Sequence, residues 1–217
     1  MRIGALSVKG FTLVELIISL GIIMLLTAIL LADYPETATR LSLVNANQST
    51  ALLVREAQVR GSAIDSVNGT YGGYGVYVAL DSPSQVILFG DTVDATASIG
   101  HDIPIGDSMY ETSPINETDK TLVFPRGYFV SKICVGSGYP FTCNASFTPE
   151  IRTLTISFIR PHPEAHIFIN GNATGTQSTG GCIELHSPRA PRGGHIRSVQ
   201  VYESGMIRTV SGSCDGS

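Results

Sequence analysis

Between Lys9 and Asp33 the sequence carries one charge, Glu15, and everything around it is apolar or small. Twenty-two residues separate Phe11 from Ala32 inclusive. At a helical rise of roughly 1.5 Å each they reach about 33 Å, enough for a hydrocarbon core of about 30 Å. The stretch is therefore expected as a membrane-spanning helix. Arg2 and Lys9 lie before it, and the excess of basic residues keeps that end cytoplasmic and sends the remainder outward. A carboxylate inside such a segment costs roughly 2.5–3.5 kcal/mol at the bilayer centre, so Glu15 requires a partner. A signal peptide leaving at Leu30-Leu31-Ala32 has no use for that carboxylate and is usually shorter. A plain signal anchor is the other simple reading, and only the junction at Gly10-Phe11 argues against it.

A cut between Gly10 and Phe11 would create an α-amino group one helical turn before Glu15, at the positive end of the helix dipole. The run Gly10-Phe11-Thr12-Leu13-Val14-Glu15 resembles the processing site of type IV pilins and of the pseudopilins of type II secretion systems. The resemblance covers about the first thirty residues and joins a junction, a charge and a span in fixed order. It implies that a prepilin peptidase cuts after Gly10 and that Phe11 becomes the N-methylated terminus. It also implies that Glu15 pairs with the amine of a neighbouring subunit during assembly. The implied partners are the peptidase, other pilin or pseudopilin subunits and the membrane, with no cofactor and no small-molecule substrate.

Beyond the span the chain reads as one exported domain. Of 217 residues 23 are Gly and 11 are Pro, only 15% are charged, and the net charge is −4, so no global basic character points to nucleic acid. Cys134, Cys143, Cys182 and Cys214 all lie after the span. Outside the cytoplasm an even number of cysteines reads as disulfides, and four allow three pairings. Cys134 with Cys143 is favoured because the pair brackets the turn-rich Gly136-Ser137-Gly138-Tyr139-Pro140, and Cys182 with Cys214 because it ties the tail to the body. No C-x-x-C spacing supports a metal site.

Asp33-Tyr34-Pro35-Glu36 interrupts the apolar run, and Pro35 is expected to bend or loosen the backbone. From Thr37 to Arg60 the apolar residues Leu41, Val44, Ala51, Leu52 and Val59 recur at helical spacing. Arg40, Asn45, Asn47, Gln48, Arg55, Glu56 and Arg60 supply a polar side, and Gly61 is expected to stop the helix. Beyond it the punctuation is that of sheet. Strands are predicted at 75–80, 85–89, 121–124, 128–135, 152–159, 166–169, 183–186, 196–202 and 206–210, with turns at 81–84 and 203–205. The clearest strand alternates Leu154, Ile156 and Phe158 with Thr153, Thr155 and Ser157, and is expected to be half buried. The fold class is α+β: a long N-terminal helix, membrane-spanning in its first half, packed on a C-terminal antiparallel β-domain. The expected segments are a leader at 1–10, the span at 11–35, an amphipathic helical half at 36–61 and the extracytoplasmic body at 62–217. The stretches 54–61 and 199–207 resemble the minor-pseudopilin branch, which pairs such a helix with such a domain.

Chemistry-bearing groupings are sparse. Gly106-Asp107-Ser108-Met109 lacks the strand-to-helix elbow of a nucleophile, and His162-Pro163-Glu164-Ala165-His166 is not the H-E-x-x-H of a zinc helix. Asp91, Asp94, Asp102 and Asp107 offer oxygen ligands for calcium without the order of an EF-hand. Arg189, Arg192, Arg197 and Arg208 make the end of the chain locally basic, and contact with DNA phosphates competes with a solvated face or a subunit contact. Sequons begin at Asn47, Asn68, Asn116, Asn144 and Asn172. The expectation is a non-enzymatic pilin or minor-pseudopilin subunit. The alternatives are a DNA-binding minor pilin, or an anchored extracytoplasmic binding domain that does not polymerise.

Overall fold

The computed structural model describes residues 10–63, 73–92, 108–113, 116–125, 127–146, 150–159, 164–171, 178–187 and 195–216. The chain divides into two compact units, residues 1–38 and 39–217. One α-helix, α1 (Leu13–Ser62), contributes to both. Pro35 lies inside it and does not end it, so the helix runs on despite the backbone hydrogen bond that proline removes.

In the second unit, among the described residues, the helix is followed by ten strands arranged as two antiparallel sheets. The strands are β1 (Tyr74–Ala79), β2 (Gln85–Gly90), β3 (Thr118–Val123), β4 (Phe129–Val135), β5 (Thr142–Cys143), β6 (Thr153–Phe158), β7 (Ala165–Ile169), β8 (Gly180–His186), β9 (Ile196–Tyr202) and β10 (Ile207–Ser211). One sheet has the order β3-β2-β1-β6-β7 and the other β10-β9-β8-β4-β5. This is an α+β, pilin-like layout. The strand readings match closely except at β5, whose two residues are too few to show a period. The turns are built as the composition suggests. Gln85 N–H donates to Ser82 O at 3.3 Å, and Gly205 takes φ +78° while its N–H donates to Tyr202 O at 2.8 Å.

The main core gathers Leu43, Val54 and Ala57 of the helix with Val76, Leu88, Ile156 and Ile167 of the first sheet and Ile133, Ile183 and Val199 of the second. Each aliphatic side chain so buried contributes roughly 1.5–3 kcal/mol. The packed helical face differs from the one expected. Leu43, Ala46, Asn47, Thr50, Leu53, Val54 and Ala57 are buried; of the residues expected inside, Ala51 is buried and Val44 partly so, whereas Leu41, Leu52 and Val59 are 59%, 65% and 68% exposed. Apolar residues occupy two sides of this helix, so periodicity alone could not choose between them. Thr50 settles on the inner side because its hydroxyl donates to Ala46 O at 2.9 Å.

Gly61 has a different role from the stop expected of it. The helix continues to Ser62, and a Cβ at Gly61 would lie 2.3 Å from Phe158 O and 2.9 Å from Phe158 Cβ. The missing side chain lets the helix meet β6 at backbone distance. β6 itself is buried on both faces, not one, with Thr155 at 2% and Ser157 at 0% exposure. It lies between β1 and β7, and in the outer row Ser157 pairs with Gly75, which pairs with Phe89. A Cβ on Gly75 would fall 2.4 Å from Phe89 Cζ, so glycine there leaves the ring room to lie across the row. At the last helical turn Arg60 donates to Asp119 Oδ2 at 2.5 Å and to Tyr74 Oη at 2.9 Å, with its guanidinium 4.2 Å from the Tyr74 ring centre.

A second, smaller cluster sits on the far side of the second sheet: Cys134, Phe141, Cys143, Cys182 and Cys214, with Tyr202 against it. Cys134 is bonded to Cys143 and Cys182 to Cys214. Cys134 and Cys182 are register partners on β4 and β8, so the two bridges lie side by side. The tail is also held electrostatically. Buried Glu184, 1% exposed, accepts from Ser131 Oγ at 2.8 Å, Ser213 Oγ at 2.5 Å and Cys214 N–H at 3.2 Å. Lys132 Nζ lies 2.8 Å from Asp215 Oδ2 and 4.0 Å from Glu184 Oε2.

The hydrogen bond to Asp215 raises the Lys132 pKa above its ordinary 10.5 against the opposing effect of burial, and the charges of Glu184 and Asp215 add to it. The folded value exceeds the unfolded one, so this contribution to stability is complete below pH 10.5 and is lost as pH climbs through the raised value. Thermal melting followed between about pH 9 and 11.5 is expected to fall more for the native chain than for Lys132→Met. Equal falls would remove the linkage.

Candidate functional site: the junction and the capped helix

Gly10, Phe11 and Thr12 precede the helix and are exposed, Phe11 by 74%. The junction thus presents backbone that no helical hydrogen bonds enclose. Thr12 is the N-cap: its Oγ1 accepts from Glu15 N–H at 3.3 Å, and its carbonyl accepts from Leu16 N–H at 3.2 Å. Thr12-Leu13-Val14-Glu15 is a T-x-x-E capping sequence, a local signal that a reading based on charge and span passes over. It gives Glu15 a place in the first turn, where the dipole favours a carboxylate.

Leu13–Leu31 has a mean hydropathy of 2.7 and is long and apolar enough to cross a membrane, with no part of it buried. Its hydroxyls are satisfied internally: Ser19 Oγ donates to Glu15 O and Thr27 Oγ1 to Ile23 O, both at 2.7 Å. Glu15 is the one ionisable group of the stretch left for a partner elsewhere. Thr12→Ala is expected to cost the start of the helix about 1 kcal/mol, seen as faster amide exchange over Leu13–Leu16 in detergent. Unchanged exchange there would rule out the cap.

The other candidate residues do not converge. Arg197 bonds to Ser211 Oγ and is its register partner, while Arg208 pairs with Gln200. These positions differ in parity, so the two side chains leave opposite faces of the sheet, and Arg189 and Arg192 lie outside the described residues. Asp91 is fully buried and accepts from Ser108 N–H at 2.9 Å, while Asp94, Asp102 and Asp107 lie outside the described residues. Among the described residues no group of three or more metal-binding side chains occurs. Ser108 has φ +68° and is buried, in keeping with a turn. His166 sits in β7 opposite Ser157, and His162 lies outside the described residues. Asn47 is 4% exposed within the helix, which closes that sequon. Asn116 and Asn144 are described, Asn68 and Asn172 are not.

The exposed junction at Gly10-Phe11 thus leads into a capped helix whose stretch Leu13–Leu31 is long and apolar enough to cross a membrane and holds Glu15 as its one carboxylate. Residues 6–31 match the family model of the prokaryotic N-terminal methylation motif, the signature of type IV pilins and pseudopilins. No match was found among curated proteins or solved structures.

Proposed function

We propose that this chain is a structural subunit, a pilin or minor pseudopilin, of a type IV pilus or a type II secretion-like filament. It is made as a prepilin, cut between Gly10 and Phe11, methylated on Phe11 and held in the cytoplasmic membrane with its body outside. The observation that carries this reading is the methylation motif at residues 6–31 lying over a capped apolar stretch whose one acid is Glu15. The second unit adds support. Leu41, Asn45, Gln48, Leu52, Arg55, Val59 and Ser62 recur every three or four residues and form one exposed stripe along the helix. Three large aliphatic groups on that stripe are suited to burial against a neighbouring subunit.

Mass spectrometry of membrane-extracted protein, with the cognate peptidase present, is expected to find a chain starting at N-methylated Phe11. An intact Met1 terminus would overturn the processing step. Leu52→Glu is expected to leave processing and folding unchanged, because the side chain points to solvent, and to reduce co-assembly severely. Normal co-assembly of that variant would favour an anchored domain that does not polymerise.

A further inference from the structure

We propose that the outer face of the β1–β2 hairpin binds a single neutral sugar ring, in a cleft one wall of which is the packed pair Tyr77 and Tyr110. The cleft has a volume of about 250 Å³ and is lined by Tyr77, Asp81, Ser82, Gln85, Ile87 and Tyr110. That is slightly below the roughly 300–1,000 Å³ of sites for drug-sized ligands, so it suits one ring. The proposal concerns a surface remote in sequence from the junction and does not rest on filament assembly.

The aromatic wall is built and held. The rings of Tyr77 and Tyr110 have centres 4.7 Å apart at 36°, and Tyr110 also leans on Phe89 at 5.6 Å. Phe89 is fully buried in the space that Gly75 leaves open, which gives Tyr110 a firm backing. The Tyr110 hydroxyl is tied to Thr118 Oγ1 at 2.7 Å. Burial, followed by Tyr110 and Asp81, raises the Tyr77 pKa above its ordinary 10.0, so its phenol stays a neutral donor at physiological pH.

The polar wall decides the ligand class. Asp81 only accepts, Gln85 both donates and accepts, and Ser82 does either. Arg152 Nη1 lies 3.5 Å from Asp81 Oδ1, and both side chains are largely exposed, so a donor-only cation stands beside the acceptor. Because Arg152 offsets the Asp81 carboxylate, neither a cationic nor an anionic ligand finds an uncompensated charge, and an alkyl chain leaves the polar groups without partners. A sugar presents hydroxyls that donate and accept, together with a C–H face that suits the negative face of an aromatic ring. It satisfies both walls.

The test is a ¹H–¹⁵N NMR titration of the full chain in a polyoxyethylene detergent, which carries neither a sugar nor a quaternary ammonium head. The probes are the methyl glycosides of glucose, galactose and N-acetylglucosamine. At least one is expected to give saturable shifts confined to residues 77–87 and 110, with half-saturation in the millimolar range. Tyr77→Ala and Gln85→Ala, each with otherwise native spectra, are expected to weaken it about ten-fold or more, and Tyr139→Ala, at an exposed tyrosine elsewhere, to change nothing. Absence of saturable shifts for all three glycosides would overturn the proposal, as would equal binding by the Tyr77 and Gln85 variants. Tetramethylammonium or acetate saturating these residues where the glycosides do not would also overturn it.

Discussion

Gly61→Ala is expected to lower the melting temperature of the full chain by several degrees. In an exposed helix interior the same change would stabilise by about 1 kcal/mol. Here the new Cβ would stand 2.3 Å from Phe158 O, about 1 Å inside an ordinary carbon–oxygen contact. Neither the helix nor β6 yields easily, because Phe158 is fully buried and a Cβ on Gly73 would also come within 2.8 Å of the same carbonyl. Overpacking of this sort costs roughly 1–3 kcal/mol, or about 2–12 °C for a domain of this size. Gly138→Ala is the control, since nothing lies within 4 Å of the Cβ it would add. Indistinguishable melting of the two variants would show that the helix and β6 are not in such contact.

Glu15→Leu is expected to separate anchoring from assembly. The substitution removes the costly carboxylate and leaves Thr12 Oγ1 still able to accept from the backbone N–H at position 15. Cells should therefore hold normal amounts of cleaved, membrane-embedded subunit. Incorporation into sheared filaments is expected to drop about ten-fold or more, because the proposed pair between Glu15 and a neighbour's amino terminus could no longer form. The strands and both disulfides lie beyond Gly61 and should be unaffected. Native-like incorporation of this variant, measured beside a known major pilin, would dismiss Glu15 as the assembly group.

Most strands were legible because each carries its own alternation and its own turn residues, as Leu154, Ile156 and Phe158 do in β6. The disulfide partners were legible for a related reason, since the segment between Cys134 and Cys143 is visibly a turn. The inner face of the helix was not, because Leu41, Leu52 and Val59 compete with Leu43, Val54 and Ala57 for the same description. Gly61 reads as punctuation when it is a point of close approach, a role set by Phe158 nearly a hundred residues later. Glu184 draws no notice for the same reason: Ser131, Lys132, Ser213 and Cys214 reach it only through strand register and the return of the tail. The cleft beside Tyr77 and Tyr110 joins a strand to a distant loop, and no local pattern announces it.

The separation of the cysteine cluster from the main core gives the body two packed layers with different safeguards. The inner layer is guarded by exclusion of water, the outer one by covalent bonds and a few charges. A reducing agent should therefore unlatch Phe141–Cys143 and Ser213–Gly216 while β1 and β6 keep their amide protection, giving a partly opened form and not a denatured one. On the proposed export into an oxidising compartment, the two bridges would close there over an inner layer that does not depend on them.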